Sequence, residues 1–194
     1  MFFTTQELVD KYSNYSNPKA KINRLLHKQQ LFSLSKGVYT DNKELHPFCV
    51  ASILNGPSYI SFHKALEYYG LIPEAVYTIT CATFNKRKDR TINNNFCNFK
   101  YSDVASQVFY YGVVTKEING IKFYIATREK ALCDLLYKLP PVISIKQMKQ
   151  LLFENLRIDE DDFKELNKKD IQFLAKHYHC RNIYFLNKLR SKYE

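Results

Sequence analysis

The stretch INRLLHKQQLFSLSKGVYT, Ile22 to Thr40, sets a basic amphipathic helix directly against a short hairpin. Asn17 is a good N-cap and Pro18 is tolerated at the first helical position, so the helix is predicted from Pro18 to about Gln29. Ile22, Leu25, Leu26 and Gln29 share one stripe at helical spacing, and the opposite arc carries Ala20, Asn23, Arg24 and His27, flanked by Lys21 and Lys28. Leu31–Leu34 and Val38–Thr40 then read as two strands joined by Ser35, Lys36 and Gly37, where glycine supplies the positive φ of a tight hairpin. A helix followed at once by such a hairpin is the closing half of a winged helix-turn-helix. Upstream, Thr4 with Glu7 three residues later forms a capping box for a first short helix, with Leu8 and Val9 on its apolar side, fading over Lys11 to Ser16.

In a unit of this kind one helix enters the major groove of double-stranded DNA and the hairpin grips phosphates beside it. The DNA-facing residues are then Lys21, Asn23, Arg24, His27 and Lys28, with Lys36 at the hairpin tip. Asn and Arg side chains can make bidentate contacts to adenine and guanine edges; the alternative is an ordinary solvated helix face.

Composition agrees with a polyanionic partner. The 194 residues carry a formal charge of +10, and each phosphate neutralised by Lys or Arg releases counterions and adds affinity regardless of sequence. The 45% hydrophobic content supplies material for a folded core. Met1 to Leu8 has no apolar core long enough for a signal peptide, and no run approaches the ~20 apolar residues of a membrane span, so a cytoplasmic protein without membrane contact is expected. The five cysteines, Cys49, Cys81, Cys97, Cys133 and Cys180, are odd in number and widely spaced, as in small buried thiols of a reducing compartment.

Beyond a short polar stretch, Asp41 to Leu45, the pattern changes, and the chain divides into a head, residues 1–42, and a body, residues 43–194. The body opens with apolar helices at Phe48–Leu54 and Ser61–Tyr69, the second closed by Gly70. β-branched and aromatic segments follow at Val76–Thr83, Phe96–Tyr101 and Gln107–Tyr111, then a hairpin around Asn119-Gly120 joining Val113–Ile118 to Ile121–Ala126. Together they predict a small, mostly antiparallel sheet. Thr127 caps a helix whose buried face is Ala131, Leu132, Leu135 and Leu136. The tail is helical at Ile145–Glu154, Glu160–Asn167, Asp170–His177 and Arg181–Lys192.

Other constellations are less specific. Lys86, Arg87, Lys88 and Arg90, just before the loop Asn93-Asn94-Asn95, form a second basic patch suited to phosphate or to an acidic partner, or else a solvated loop between strands. His177, His179 and Cys180 are spaced so that a helix would separate the imidazoles, and a helix ending at Tyr178 is the simpler reading. Asp159 to Asp162 precede a helix start, where carboxylates cap free amides. No Gly-rich phosphate loop, His-Glu-x-x-His or Gly-x-Ser-x-Gly motif occurs, so no catalytic residue, metal site or cofactor is assigned. A metal-dependent nuclease or transferase would have to draw on Asp89, Asp103, Glu117, Glu129 and Asp134, scattered through the sheet region.

Three blocks, GVYT at Gly37–Thr40, PSYISFHKALEYYGLIPE at Pro57–Glu74 and TREKALCDLL at Thr127–Leu136, make the chain resemble the AbiEi family of bacterial antitoxins and transcriptional regulators, over roughly Phe3 to Lys138. The resemblance implies an N-terminal winged helix-turn-helix that represses its own operon by binding inverted repeats in the promoter. It also implies a C-terminal domain that neutralises a cognate nucleotidyltransferase-like toxin of a phage-defence pair, without requiring a stable complex. Position by position it assigns DNA contact to Lys21, Asn23, Arg24, Lys28 and Lys36. Within the second block the pattern Tyr59, Phe62, Ala65 and Leu66 is what a buried helix needs, so that block is assigned to structure and to the junction of head and body. The fold expected is α+β, a winged-helix head followed by a small sheet packed with helices and a helical tail. The function expected is that of an autorepressing antitoxin, or alternatively a stand-alone DNA-binding regulator.

Overall fold

Thr4 ends one element and begins the next. In the computed structural model, which describes residues 1–94 and 97–193, strand β1 (Phe2–Thr4) runs directly into helix α1 (Thr5–Lys11). The capping box is formed: the Glu7 N–H donates to Thr4 Oγ1, and the Thr4 N–H donates to Glu7 Oε2 at 2.6 Å. Helix α2 (Pro18–His27) is capped by Asn17, whose side chain accepts the Ala20 N–H at 3.0 Å. Strands β2 (Phe32–Ser35) and β3 (Val38–Thr40) close the head as a hairpin, with Gly37 at φ +85° in its turn. Strand β1 pairs antiparallel with the other edge of β3, giving the order β1-β3-β2. The sequence reading did not foresee β1, since three residues show no period.

This small sheet is apolar on both faces. Phe3 and Tyr39, which are register partners, pack with Leu8, Ile22 and Leu31 beneath the two helices. Phe2 and Val38 turn the other way and join the main core, as successive strand residues must. Leu34, passed over by a register shift between Ser33 and Ser35, is 1% exposed and also enters that core. The Leu34 carbonyl accepts the Asn94 side-chain amide at 2.9 Å, so head and body are joined by a hydrogen bond as well as by packing.

The body begins with α3 (Pro47–Leu54), β4 (Ser58–Ile60) and α4 (Phe62–Tyr68). Then come β5 (Ile79–Thr83), β6 (Arg90–Asn93), β7 (Asn98–Asp103), a 3-10 turn at Ser106–Val108, β8 (Val113–Ile118) and β9 (Ile121–Ala126). The helices that follow are α5 (Arg128–Lys138), α6 (Ile145–Lys149) continued by a π-helical segment Gln150–Asn155, α7 (Glu160–Glu165), α8 (Lys168–Tyr178) and α9 (Arg181–Arg190).

Six strands form one sheet in the order β6-β7-β5-β4-β9-β8. The expected mostly antiparallel sheet is corrected to a mixed one, because β5 pairs parallel with β7 and β4 parallel with β9, while the other three pairings are antiparallel. The central strand β4 was missed. Tyr59, assigned from sequence to a helix face, lies in this strand, and helix α4 starts only at Phe62. The segment Gln107–Tyr111, expected as a strand, instead begins within a single 3-10 turn that buries Val108 and Phe109. Arg90, expected in a loop, opens β6. Asn95 and Phe96 lie outside the described residues, so the ends of the Asn-rich loop and of the strand expected from Phe96 are not placed.

Alternation along β7 fixes the layers. The Tyr101 hydroxyl donates to the Ala51 carbonyl on α3 at 2.7 Å, whereas its neighbours Lys100 and Ser102 share a cavity with residues of α4 and α5. Helix α3 therefore covers one face of the sheet and the α4–α5 pair the other. The helical tail packs on α5, where the Asn182 side chain accepts the Val142 N–H at 2.7 Å and donates to the Leu136 carbonyl at 2.9 Å. Helix α8 ends at Tyr178 with His179 in the left-handed region (φ 50°), which separates His177 from Cys180. Among the described residues, no helix is long and apolar enough to cross a membrane.

Candidate nucleic-acid interface

Helix α2 is anchored by its apolar stripe. Ile22 is 4% exposed and Leu25 and Leu26 are half-buried against the head core. That rotation leaves Asn23, Arg24, His27 and Lys28 exposed along the outer side. None of these four side chains makes a hydrogen bond or ion pair among the described residues. Lys36 is exposed at the hairpin tip, held by the Thr5 N–H donating to the Gly37 carbonyl at 3.0 Å. Below the helix, His27, Gln29, Ser33 and Lys43 border a groove of about 660 Å³ with Leu31 and Phe32 at its base.

Lys21 stands apart from this group. It is half-buried, and its ammonium lies 4.8 Å from the centre of the Tyr15 ring and 5.8 Å from that of Tyr12. A cation over an aromatic face is attracted to it while keeping its charge, so Lys21 ties the α1–α2 connection to the helix.

The second basic patch is displayed rather than collapsed. Lys86, Arg87, Lys88 and Arg90 are all exposed, and Arg87 has a left-handed backbone (φ 63°). Asp103 holds the turn: its carboxylate accepts from the Thr83 hydroxyl at 2.5 Å and from the Arg87 N–H. Burial pushes the Asp103 carboxyl upward, but the hydrogen bonds from Thr83 and from the Lys86 and Arg87 amides outweigh it and hold the group below its ordinary value.

The carboxylates scattered in the sequence do not converge on one site. Asp89 accepts from Ser102 Oγ at 2.8 Å, Glu129 accepts the Asn167 N–H at 2.8 Å, and Glu117 is exposed on β8. Among the described residues, no group of three or more His, Cys, Asp or Glu side chains is placed to hold a metal ion.

Asp134 belongs to a buried network that sequence reasoning did not assemble. Its Oδ1 accepts from Lys130 Nζ at 2.7 Å and from the Tyr178 hydroxyl, and its Oδ2 accepts from Ser61 Oγ at 2.6 Å and from the Tyr59 hydroxyl at 3.0 Å. Lys130 also donates to the Tyr178 oxygen at 2.6 Å. Burial and then the Asp134 charge push the Tyr59 and Tyr178 hydroxyls well above their ordinary range, which keeps both protonated as donors. The available signal was an i, i+4 Lys–Asp pair set among Ala131, Leu132, Leu135 and Leu136 on an otherwise buried helix.

This network joins two sequence blocks. Tyr59 and Ser61 come from PSYISFHKALEYYGLIPE, and Lys130 and Asp134 come from TREKALCDLL, 75 residues apart at the Tyr59–Asp134 contact. No protein-family model matches the chain, and neither does any curated protein sequence.

Proposed function

We propose that the chain is a DNA-binding regulator whose head is a winged helix-turn-helix, with α2 as the recognition helix and the β2–β3 hairpin as the wing. The observation that carries this reading is the exposed, unpaired row Asn23, Arg24, His27 and Lys28 on a helix whose other side is fixed in a core, beside an exposed cation at a hairpin tip. The net charge of +10 supports it. Lys28, Lys36 and the flanking cations hold phosphates, while Asn23 and Arg24 discriminate base edges.

More particularly, the protein is an AbiEi-like antitoxin that represses its own operon and silences a nucleotidyltransferase-like toxin. This half rests on the three-block resemblance. The test is a promoter fusion together with co-expression of the adjacent gene in a cytoplasmic host. Repression of the fusion and rescue of growth are expected. Repression without rescue would reduce the protein to a stand-alone regulator, and rescue without repression would remove the operator-binding role.

A further inference from the structure

A cavity of about 280 Å³ lies between the α4–α5 helices and the sheet face of β5 and β7. Its lining joins charged and polar groups at the open rim to an apolar floor. Lys100 stands opposite Thr80 in the β5–β7 register, with Ser102 on the same face of the strand. Lys138, the last residue of α5, faces them across the cavity together with His63 from the first turn of α4. The floor is apolar, formed by Leu135, Leu139 and the side chain of Phe62.

Two of these groups lack partners, and a third is held only by a long ion pair. Among the described residues Lys100 has no ion pair, and the half-buried His63 ring makes no hydrogen bond. Lys138 reaches Asp89 only at 3.6 Å. Phe62, just before His63, holds φ 56°, a left-handed conformation that a bulky residue adopts only where its surroundings impose it. One carboxylate, Asp89, also faces the cavity, fixed by Ser102 Oγ at 2.8 Å.

We infer that this cavity binds a small phosphate monoester of a hydroxylated, sugar-sized group. Lys100, Lys138 and the His63 N–H donate to the phosphate oxygens, Asp89 accepts from hydroxyls, and the carbon skeleton rests on Leu135 and Leu139. Cations alone would suit any polyanion, but a carboxylate in the same cavity repels a continuous run of phosphates and accepts hydroxyl protons. The volume, just below the ~300–1,000 Å³ common to ligand sites, has room for a small molecule and not for a nucleic-acid strand.

The test is calorimetric titration of the full chain with ribose 5-phosphate, with ribose and a short single-stranded oligonucleotide as the other arms. Saturable binding of ribose 5-phosphate is expected, with ribose at least about tenfold weaker because it lacks the charge-assisted contacts. Lys100→Ala and Lys138→Ala, both solvent-accessible positions whose variants should keep the parent circular dichroism, are expected to weaken binding about tenfold or more, while Lys116→Ala on β8 and Arg24→Ala on α2 leave it unchanged. No saturable binding, equal binding of ribose, or undiminished affinity in both lysine variants would overturn the assignment. So would an oligonucleotide that displaces the sugar phosphate with higher affinity, since it would give these lysines to a nucleic-acid backbone.

Discussion

Lys130 and Asp134 stand one turn apart on α5, joined at 2.7 Å with neither side chain exposed to solvent. The pair is neutral overall and every buried polar side-chain atom among the described residues finds a hydrogen-bond partner, so its cost of burial is met by Tyr59, Ser61 and Tyr178. Removing one charge strands the other. Asp134→Leu or Lys130→Met alone should each lower unfolding free energy by about 3–5 kcal/mol, while the double variant recovers most of the loss. Urea denaturation of the three variants checks this; equal destabilisation by the double variant and the sum of the singles would show that the pair is not coupled.

Gly112 supports the same helix by being absent of side chain. It sits at φ +67°, its carbonyl accepts the Thr127 N–H at 2.7 Å, and a Cβ there would come 2.9 Å from the Lys130 Cβ. Gly112→Ala should therefore destabilise the body by more than about 1 kcal/mol through strain and overlap, which thermal denaturation reads directly.

Lys21 and Lys28 lie on the same helix but should behave differently. Lys21→Ala loses a cation–π contact with Tyr15 and should cost about 0.5–1 kcal/mol of head stability with little change in the salt dependence of DNA binding. Lys28→Ala should leave stability unchanged and lower the salt slope by about one unit. Affinity measured over a salt series separates the two.

The Lys86–Arg90 turn should loosen in acid. Asp103 titrates below its ordinary value of 3.8 in the folded protein, so the stability it lends the turn is fully present above that value and is lost as pH falls through the lower, folded one. Protection of the Arg87 amide against exchange, relative to its intrinsic rate at each pH, should fall over that window, and Asp103→Asn should remove that fall.

Local chemistry made the head legible. Asn17-Pro18, the Thr4–Glu7 box and Gly37 each specify a boundary by a backbone requirement, and the two helix starts stand where those residues put them, while the hairpin turn narrows to Lys36-Gly37 because Ser35 joins β2 and pairs with Val38. The body was harder because its order is set by distant pairing. Strand β4 has three residues, all buried on both faces, and only its partners β5 and β9 define it as a strand. Phe109 to Tyr111 carry the aromatic residues of a strand but pack as a turn, with Phe109 against Tyr59 and Tyr111 stacked 4.0 Å from Phe173. Exposure of Asn23, Arg24, His27 and Lys28 followed from the helical stripe alone. The engagement of Lys21 did not, because Tyr12 and Tyr15 reach it from outside the helix.

The central claim is that α2 reads DNA sequence. The decisive measurement is affinity of the wild-type protein and Arg24→Ala for a labelled fragment of the gene's own upstream region and for a scrambled fragment, at two salt concentrations. Wild-type preference for its own fragment should survive the higher salt. Arg24→Ala should lose about 1–3 kcal/mol on that fragment alone, whereas Lys36→Ala weakens both fragments alike. Equal, salt-labile binding to both fragments by the wild type, or equal losses on both for Arg24→Ala, would contradict the account.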